Sequence, residues 1–146
     1  MRKTNDVLLL EEQLCFPLYA ASNLITRLYR PLLAKLGLTY PQYLVMMLLW
    51  EAAPQSVSDL GKALHLDSGT LTPLLKRLEI SGLVLRRRDD EDERRVFILL
   101  TEKGSLLRAS AESIPKELQS AIQCSPKEIS ELRDRVNALI SRLQSA

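Results

Sequence analysis

One stretch limits what this chain can fold into more than any other: Leu66 to Gly82, LDSGTLTPLLKRLEISG. Asp67 and Ser68 carry side chains that accept the unpaired N–H groups of a first helical turn. Leu71, Leu74, Leu75 and Leu78 follow at i, i+3, i+4 and i+7, the apolar stripe of a helix laid on a core. The opposite side holds Ser68, Gly69, Thr70, Thr72, Lys76 and Arg77, with no carboxylate before Glu79. Small residues, hydroxyls and cations can approach a phosphate backbone and hydrogen-bond to base edges. A plain amphipathic helix with a solvated polar face has the same periodicity, so its neighbours decide. Ser81-Gly82 is a stop signal. Pro73 removes a backbone donor and predicts a bend or weakened first turns.

Upstream, Thr39 or Tyr40 caps a helix over 41–52 with Pro41 at its first position. That segment, PQYLVMMLLWEA, is apolar nearly all round, so it is expected to be buried, with Tyr43, Met46, Met47 and Trp50 in the core. Pro54-Gln55 reads as a turn. Ser56 opens a short helix with Val57, Leu60 and Leu64 inward. Two short helices joined tightly, the second with a cation-and-hydroxyl face, form a helix-turn-helix. Downstream, LVLRRR (83–88) and RVFILL (95–100) read as strands around a charged loop, Asp89 to Glu93. A hairpin directly after a helix-turn-helix is the winged arrangement. Arg86, Arg87 and Arg88 line one strand, yet the loop DDEDE would repel phosphate. A solvated, salt-bridged hairpin is the plain alternative. The reading adopted is that Asp92 orients Arg94 through a carboxylate–guanidinium pair and that Arg94 reaches the minor groove.

The two ends of the chain carry long apolar seams. In 11–36, Leu14, Leu18, Ala21, Ile25, Leu28 and Leu32 alternate by four and three. Glu11 and Glu12 are expected in the first turn, Cys15 at or before a helix start near Phe16, and a kink or break at Pro31. A helix from Thr101 is interrupted at Pro115. The last helix has Ser125 as cap with Glu128 three residues on, and Ile129, Leu132, Val136, Leu139 and Leu143 in register. One domain of 146 residues does not need both seams for its own core. They predict helices that pack together and on a second copy, which would set two reading heads about 34 Å apart. The expected fold is therefore mainly α with a small β-hairpin wing: a single winged helix-turn-helix domain over 1–146, with its DNA-binding lobe at 41–100, dimerised through N- and C-terminal helices at 11–36 and 105–146.

Composition closes off other classes. Five glycines and 5% aromatics argue against an all-β fold, and a net charge of +2 means any basic footprint is local. No apolar run approaches the roughly 18 residues of a membrane span. The segment MRKTNDVLLLEEQLC lacks the apolar core and cleavage site of a signal peptide, so a cytoplasmic protein with no membrane partner is expected. His65 stands alone, and Cys15 and Cys124 lie far apart without metal-ligand spacing. No metal, cofactor or catalytic residue is expected, and in a reducing compartment both cysteines are expected as thiols.

With these residues in place, the chain resembles the MarR family of winged-helix repressors along nearly its whole length. The family's wing signature stands here as Asp92-Glu93-Arg94 leading to Leu100-Thr101-Glu102-Lys103-Gly104. QLCFPLY (13–19), LYRPLL (28–33), LGLTYPQYLVMMLLWE (36–51), LDSGTLTPLLKRLE (66–79) and RRRDDEDERRV (86–96) are similar to its organic hydroperoxide resistance branch (OhrR). The resemblance implies a homodimeric repressor that binds a double-stranded, pseudo-palindromic operator and is released by an organic hydroperoxide. By position it makes Cys15 the reactive thiol, Tyr29 and Tyr40 the tyrosines that hydrogen-bond its sulfur, and Tyr19 a further pocket tyrosine. It makes Cys124 the resolving cysteine, from the other subunit, of the two-cysteine kind.

Without the family, a cysteine among Leu14, Phe16 and Leu18 is commonly a small buried hydrophobe, and tyrosines are commonly core residues. A reactive thiol needs thiolate character, for which a helix N-terminus and tyrosine hydroxyls are sources. Phe16 and its apolar neighbours suit the alkyl tail of an organic peroxide. On DNA, Lys76 or Arg77 would contact phosphate, with Ser68, Thr70 and Thr72 at bases or phosphates and Arg86 and Arg88 on the wing. Three rival readings stay open: a repressor released by a small aromatic ligand, a thiol peroxidase acting through Cys15, and a dimerisation protein without DNA.

Overall fold

Among the described residues, capping side chains fix the starts of five of the seven α-helices. The structure, a computed structural model, describes residues 7–146; residues 1–6 of the N-terminal segment read above lie outside the described residues. The chain divides into two compact units, 1–112 and 113–146. The first unit holds a 3-10 turn at Leu10–Glu12, then α1 (Cys15–Ala34), α2 (Tyr40–Glu51), β1 (Gln55–Ser56), α3 (Val57–Leu64), α4 (Ser68–Ile80), β2 (Val84–Arg88), β3 (Val96–Leu100) and α5 (Glu102–Ala111). The second holds α6 (Ile114–Ile122) and α7 (Pro126–Gln144).

In the first unit Thr39 caps α2 in a reciprocal capping box with Gln42, so Tyr40 and Pro41 open that helix. Ser56 accepts from the Asp59 amide to start α3, and Asp67 accepts from the Thr70 amide at 2.8 Å to start α4. The Thr70 hydroxyl and amide hold the exposed Asp67 carboxyl below the usual carboxylate range. Helix α4 ends as its sequence directs. Gly82 adopts φ +76, its amide donates to the Glu79 carbonyl, and the Leu83 amide donates to the Leu78 carbonyl at 3.1 Å. Pro73 lies inside α4 without interrupting it. The expected leucine stripe is the buried one: Leu71, Leu74, Leu75 and Leu78 pack with Val45, Met46, Leu49, Leu60, Val84 and Ile98 in the core. Truncating one such leucine to alanine costs about 2–5 kcal/mol.

Four expectations need correction. Gln55, expected in a Pro54-Gln55 turn, instead forms a short strand with Ser56. It pairs antiparallel with β3 (Gln55 opposite Ile98, Ser56 opposite Phe97), which makes a three-stranded sheet in the order β1-β3-β2. Glu11 and Glu12 lie in the separate 3-10 turn, so the first turn of α1 contains no acidic residue. Helix α1 runs unbroken through Pro31 to Ala34, and Gly37, with a φ of +69, turns the chain just after it. Met47 is on the exposed side of α2, while Met46 is fully buried.

In the second unit Pro115 sits near the start of α6, and the helical interruption falls just before it, at Glu112–Ser113. Ser125 and Glu128 form the expected capping box of α7, and the Ser125 amide and hydroxyl hold the Glu128 carboxyl below its usual range. Helix α7 buries no residue at all, and Leu132 and Leu143 on its apolar seam are exposed. Among the described residues no helix is long and apolar enough to cross a membrane.

Candidate DNA interface and thiol site

Helix α4 presents the expected face. Ser68, Gly69, Thr70, Thr72, Lys76 and Arg77 are all exposed, opposite the buried leucines. The reach from α3 into α4 is tight: the Leu66 amide donates to the Gly61 carbonyl at 3.0 Å, and His65 takes a left-handed conformation. A Cβ at Gly61 would come within 2.9 Å of the Leu66 carbonyl oxygen. Glycine there lets the two helices of the reader meet closely.

The wing is β2 and β3 in antiparallel register, Arg88 opposite Val96 and Arg86 opposite Ile98. Arg86, Arg87 and Arg88 are exposed. The Arg86 Nε lies 3.9 Å from the Glu79 carboxylate, which places the base of the wing beside the end of α4. The Arg95 guanidinium covers the Phe97 ring at 5.0 Å. The tip is ordered by its own backbone. The Asp89 amide donates to the Arg95 carbonyl at 2.8 Å, and the Arg95 amide to the Asp92 carbonyl at 2.9 Å. The Asp92 carboxylate accepts the Arg94 amide at 3.1 Å and lies 3.5 Å from Arg94 Nε. Thus Asp92 touches Arg94 as its spacing suggested, and the Arg94 side chain is 94% exposed. A single carboxylate gripping the backbone and head of the same arginine aims that arginine outward.

Sequence reasoning reads Thr101 as a helix start but does not foresee its bonds to the end of α4. The Thr101 hydroxyl donates to the Gly82 carbonyl at 2.6 Å and accepts from the Gly104 amide at 3.0 Å. The Thr101 amide donates to the Leu83 carbonyl, and Trp50 Nε1 to the Gly104 carbonyl at 2.8 Å. A Cβ on Gly104 would overlap the Leu83 carbonyl oxygen. The signal was present as Leu-Thr-x-x-Gly, but its meaning depends on backbone contacts between distant segments.

Cys15 is the first residue of α1, and its thiol is exposed, as is that of Cys124. Leu14 precedes it, and no side chain caps the first turn of the helix. Leu14, Phe16, Leu18 and Tyr19 are all exposed around it. Tyr29 and Tyr40 meet each other, with ring centroids 4.8 Å apart, and Tyr43 packs on Tyr29 at 5.8 Å. Burial and the neighbouring tyrosines push the Tyr29 hydroxyl up to about 12, and burial raises Tyr40. At neutral pH both are hydroxyl donors. Among the described residues none of these hydroxyls donates to the Cys15 sulfur within one copy. Cys124 lies in the turn between α6 and α7, directly after Gln123 in a left-handed conformation, and its thiol approaches the Ile122 carbonyl at 3.8 Å. No group of three or more metal-ligating side chains occurs among the described residues.

A helix-turn-helix with an exposed cation-and-hydroxyl face, joined to an arginine-bearing hairpin, defines a winged-helix DNA-binding protein. A family model described as transcriptional regulator SarA/Rot matches residues 27–109. The chain is 47% identical over 143 residues to the organic hydroperoxide resistance transcriptional regulator of Bacillus subtilis strain 168, across 98% of this chain and 97% of that protein. Among solved structures, reduced AbfR bound to DNA matches with a TM-score of 0.75 at 37% identity, over 92% of this chain and 94% of that one. Disulfide-formed AbfR matches with a TM-score of 0.65 at 42% identity, over 90% and 92%. AbfR is a protein of Staphylococcus epidermidis. The chain belongs to the SarA/Rot and MarR-type family of winged-helix transcriptional regulators. It is a regulator and not an enzyme.

Proposed function

We propose that the chain is a redox-sensing repressor that binds a pseudo-palindromic operator as a homodimer and releases it when an organic hydroperoxide oxidises Cys15. The observation that carries this reading is the exposed Cys15 thiol at the uncapped first turn of α1, among exposed apolar side chains, in a chain so similar to an organic hydroperoxide resistance regulator. A core cysteine would be buried. Phe16, Leu18 and Tyr19 offer an alkyl tail a surface that hydrogen peroxide would not use. Tyr29 and Tyr40 retain their protons and so are donors to a thiolate. Because neither reaches Cys15 within one copy, that support belongs to the dimer. The incompletely covered seams of α1 and α7 (residues within 11–36 and 105–146) are the proposed dimer surfaces.

In the proposed sequence, the Cys15 thiolate attacks a peroxide oxygen, the O–O bond breaks, and the alcohol leaves after taking a proton. The sulfenic acid then condenses with the Cys124 thiol of the other subunit, forming the S–S bond and releasing water. Disulfide formation needs Cα atoms within about 7 Å, so it selects one arrangement of the dimer. A 100-fold loss of operator affinity needs only about 2.7 kcal/mol of difference between the two arrangements. Cellular thiols reverse the step. On DNA, Ser68, Thr70 and Thr72 face bases or phosphates, Lys76 or Arg77 contacts phosphate, Arg86 and Arg88 line the DNA-facing wing strand, and Arg94, held by Asp92, enters the minor groove.

The test is an operator titration at fixed salt on the DNA upstream of the protein's own gene. Reduced wild type, hydroperoxide-treated wild type, Cys15→Ser and Cys124→Ser are compared. Peroxide should abolish wild-type binding and leave Cys15→Ser bound, and a non-reducing gel should show a dimer-sized band that needs Cys124. If Cys15→Ser releases DNA like wild type, the redox reading fails.

A further inference from the structure

Lys103 is a solvent-exposed cation beside a DNA-binding lobe, and such a lysine is ordinarily a phosphate contact. Here its Nζ is engaged within the chain, donating to the Ser81 carbonyl at 2.9 Å. Ser81 is the C-terminal cap of α4, where carbonyls lack helical partners and a positive charge is favoured. The next carbonyl, of Gly82, takes the Thr101 hydroxyl at 2.6 Å, and the Leu83 carbonyl takes the Thr101 amide at 3.1 Å. Three successive carbonyls at the end of α4 are therefore held by two residues at the start of α5. The Thr101 hydroxyl serves both helices at once, since it also accepts the Gly104 amide of the first α5 turn.

From this geometry we infer that Thr101 and Lys103 are positioning residues that set the pose of α4 on DNA without touching DNA themselves. The leucine stripe of α4 fixes which face is buried, but apolar packing resists rotation about the helix axis better than it resists tilt or sliding along it. Directional hydrogen bonds at one end supply that remaining constraint. Specific base contacts depend on the pose of α4, whereas non-specific phosphate attraction does not. The two residues should therefore act on discrimination and not on charge neutralisation.

The experiment measures affinity for the operator and for an unrelated duplex of equal length across a salt series, using full-length reduced protein and Lys103→Met, Thr101→Val and Thr101→Ser. Operator affinity should fall by about threefold in Lys103→Met and about tenfold in Thr101→Val, the range expected for losing one or two modest hydrogen bonds. Affinity for the unrelated duplex and the slope of log K against log salt should stay at wild-type values. Thr101→Ser, which keeps the hydroxyl, should restore operator binding, and Lys103→Met remains informative if Thr101→Val does not fold. If Lys103→Met lowers the salt slope by about 0.9 and weakens both duplexes alike, Lys103 is a phosphate contact and the inference is overturned. Unchanged operator affinity in Lys103→Met and in folded Thr101→Val also overturns it. Neither outcome depends on whether peroxide releases the protein.

Discussion

Gly104→Ala should be among the most damaging single-methyl additions in the chain. The new Cβ would overlap the Leu83 carbonyl oxygen, and the Leu100 side chain is also within 3.3 Å. The obstruction is backbone, so no rotamer change relieves it, and α5 must move away from the end of α4. Overpacking of this kind costs about 1–3 kcal/mol, and a backbone clash belongs at the upper end. Separation also stretches the bond from the Thr101 amide to the Leu83 carbonyl, about 1 kcal/mol. The better helix preference of alanine returns about 1 kcal/mol. The net loss is about 3 kcal/mol, which for a chain of this size lowers the thermal midpoint by roughly 6–12 °C. Gly69→Ala is the matched control. It also lies in the first turn of a helix, but its Cβ would meet only the Asp67 carboxylate at an ordinary 3.8 Å. It should gain about 0.5–1 kcal/mol. Both midpoints are read by calorimetry or circular dichroism at one protein concentration, because assembly would make them concentration-dependent. A Gly104→Ala protein as stable as wild type would refute the reasoning, since it would mean α5 does not lie against Leu83.

If, as proposed, the exposed Arg94 guanidinium is the wing's reach toward DNA, Arg94→Ala should reduce the slope of log K against log salt by about 0.9; an unchanged slope would remove it from the interface. Ser125→Ala should cost about 1 kcal/mol by uncapping α7, measurable by denaturant titration, and Ser125→Thr should retain most of it. Tyr29 predicts an alkaline limit. Its hydroxyl ionises near 10 when unfolded and is held to about 12 when folded, so its contribution is intact below pH 10 and is lost as pH rises toward 12. Tyr29→Phe should flatten that part of a midpoint-against-pH curve, and an unaltered curve would place the titrating group elsewhere.

What was legible in the sequence was what is local. Thr39, Ser56, Asp67 and Ser125 each accept an amide three residues ahead, so a capping rule that spans one turn locates four helix starts. Gly37 and Gly82 end helices for an equally local reason, a positive φ. The pair Asp92–Arg94 was readable because both members belong to one turn. What escaped depends on partners distant along the chain. Gln55-Ser56 has no strand signal of its own and becomes β1 only because Phe97 and Ile98 arrive beside it. Thr101 was read as a helix start, but its bonds to the end of α4 could not be inferred from either segment alone. The tyrosines were placed by resemblance at Cys15, and within one copy they instead meet each other, since ring packing between α1 and α2 is a tertiary fact.

The self-bonded wing tip has a kinetic consequence. A loop disordered before contact must lose about 1–2 kcal/mol of conformational entropy per residue at the moment of binding, and its association waits on that search. Here the turn bonds of Asp89, Asp92 and Arg95 settle that loss when the chain folds. On the proposed reading, engagement of the wing with DNA would therefore be a docking event. Its rate should follow collision frequency and ionic strength, and repeated brief encounters along a duplex should each present Arg94 in the same geometry.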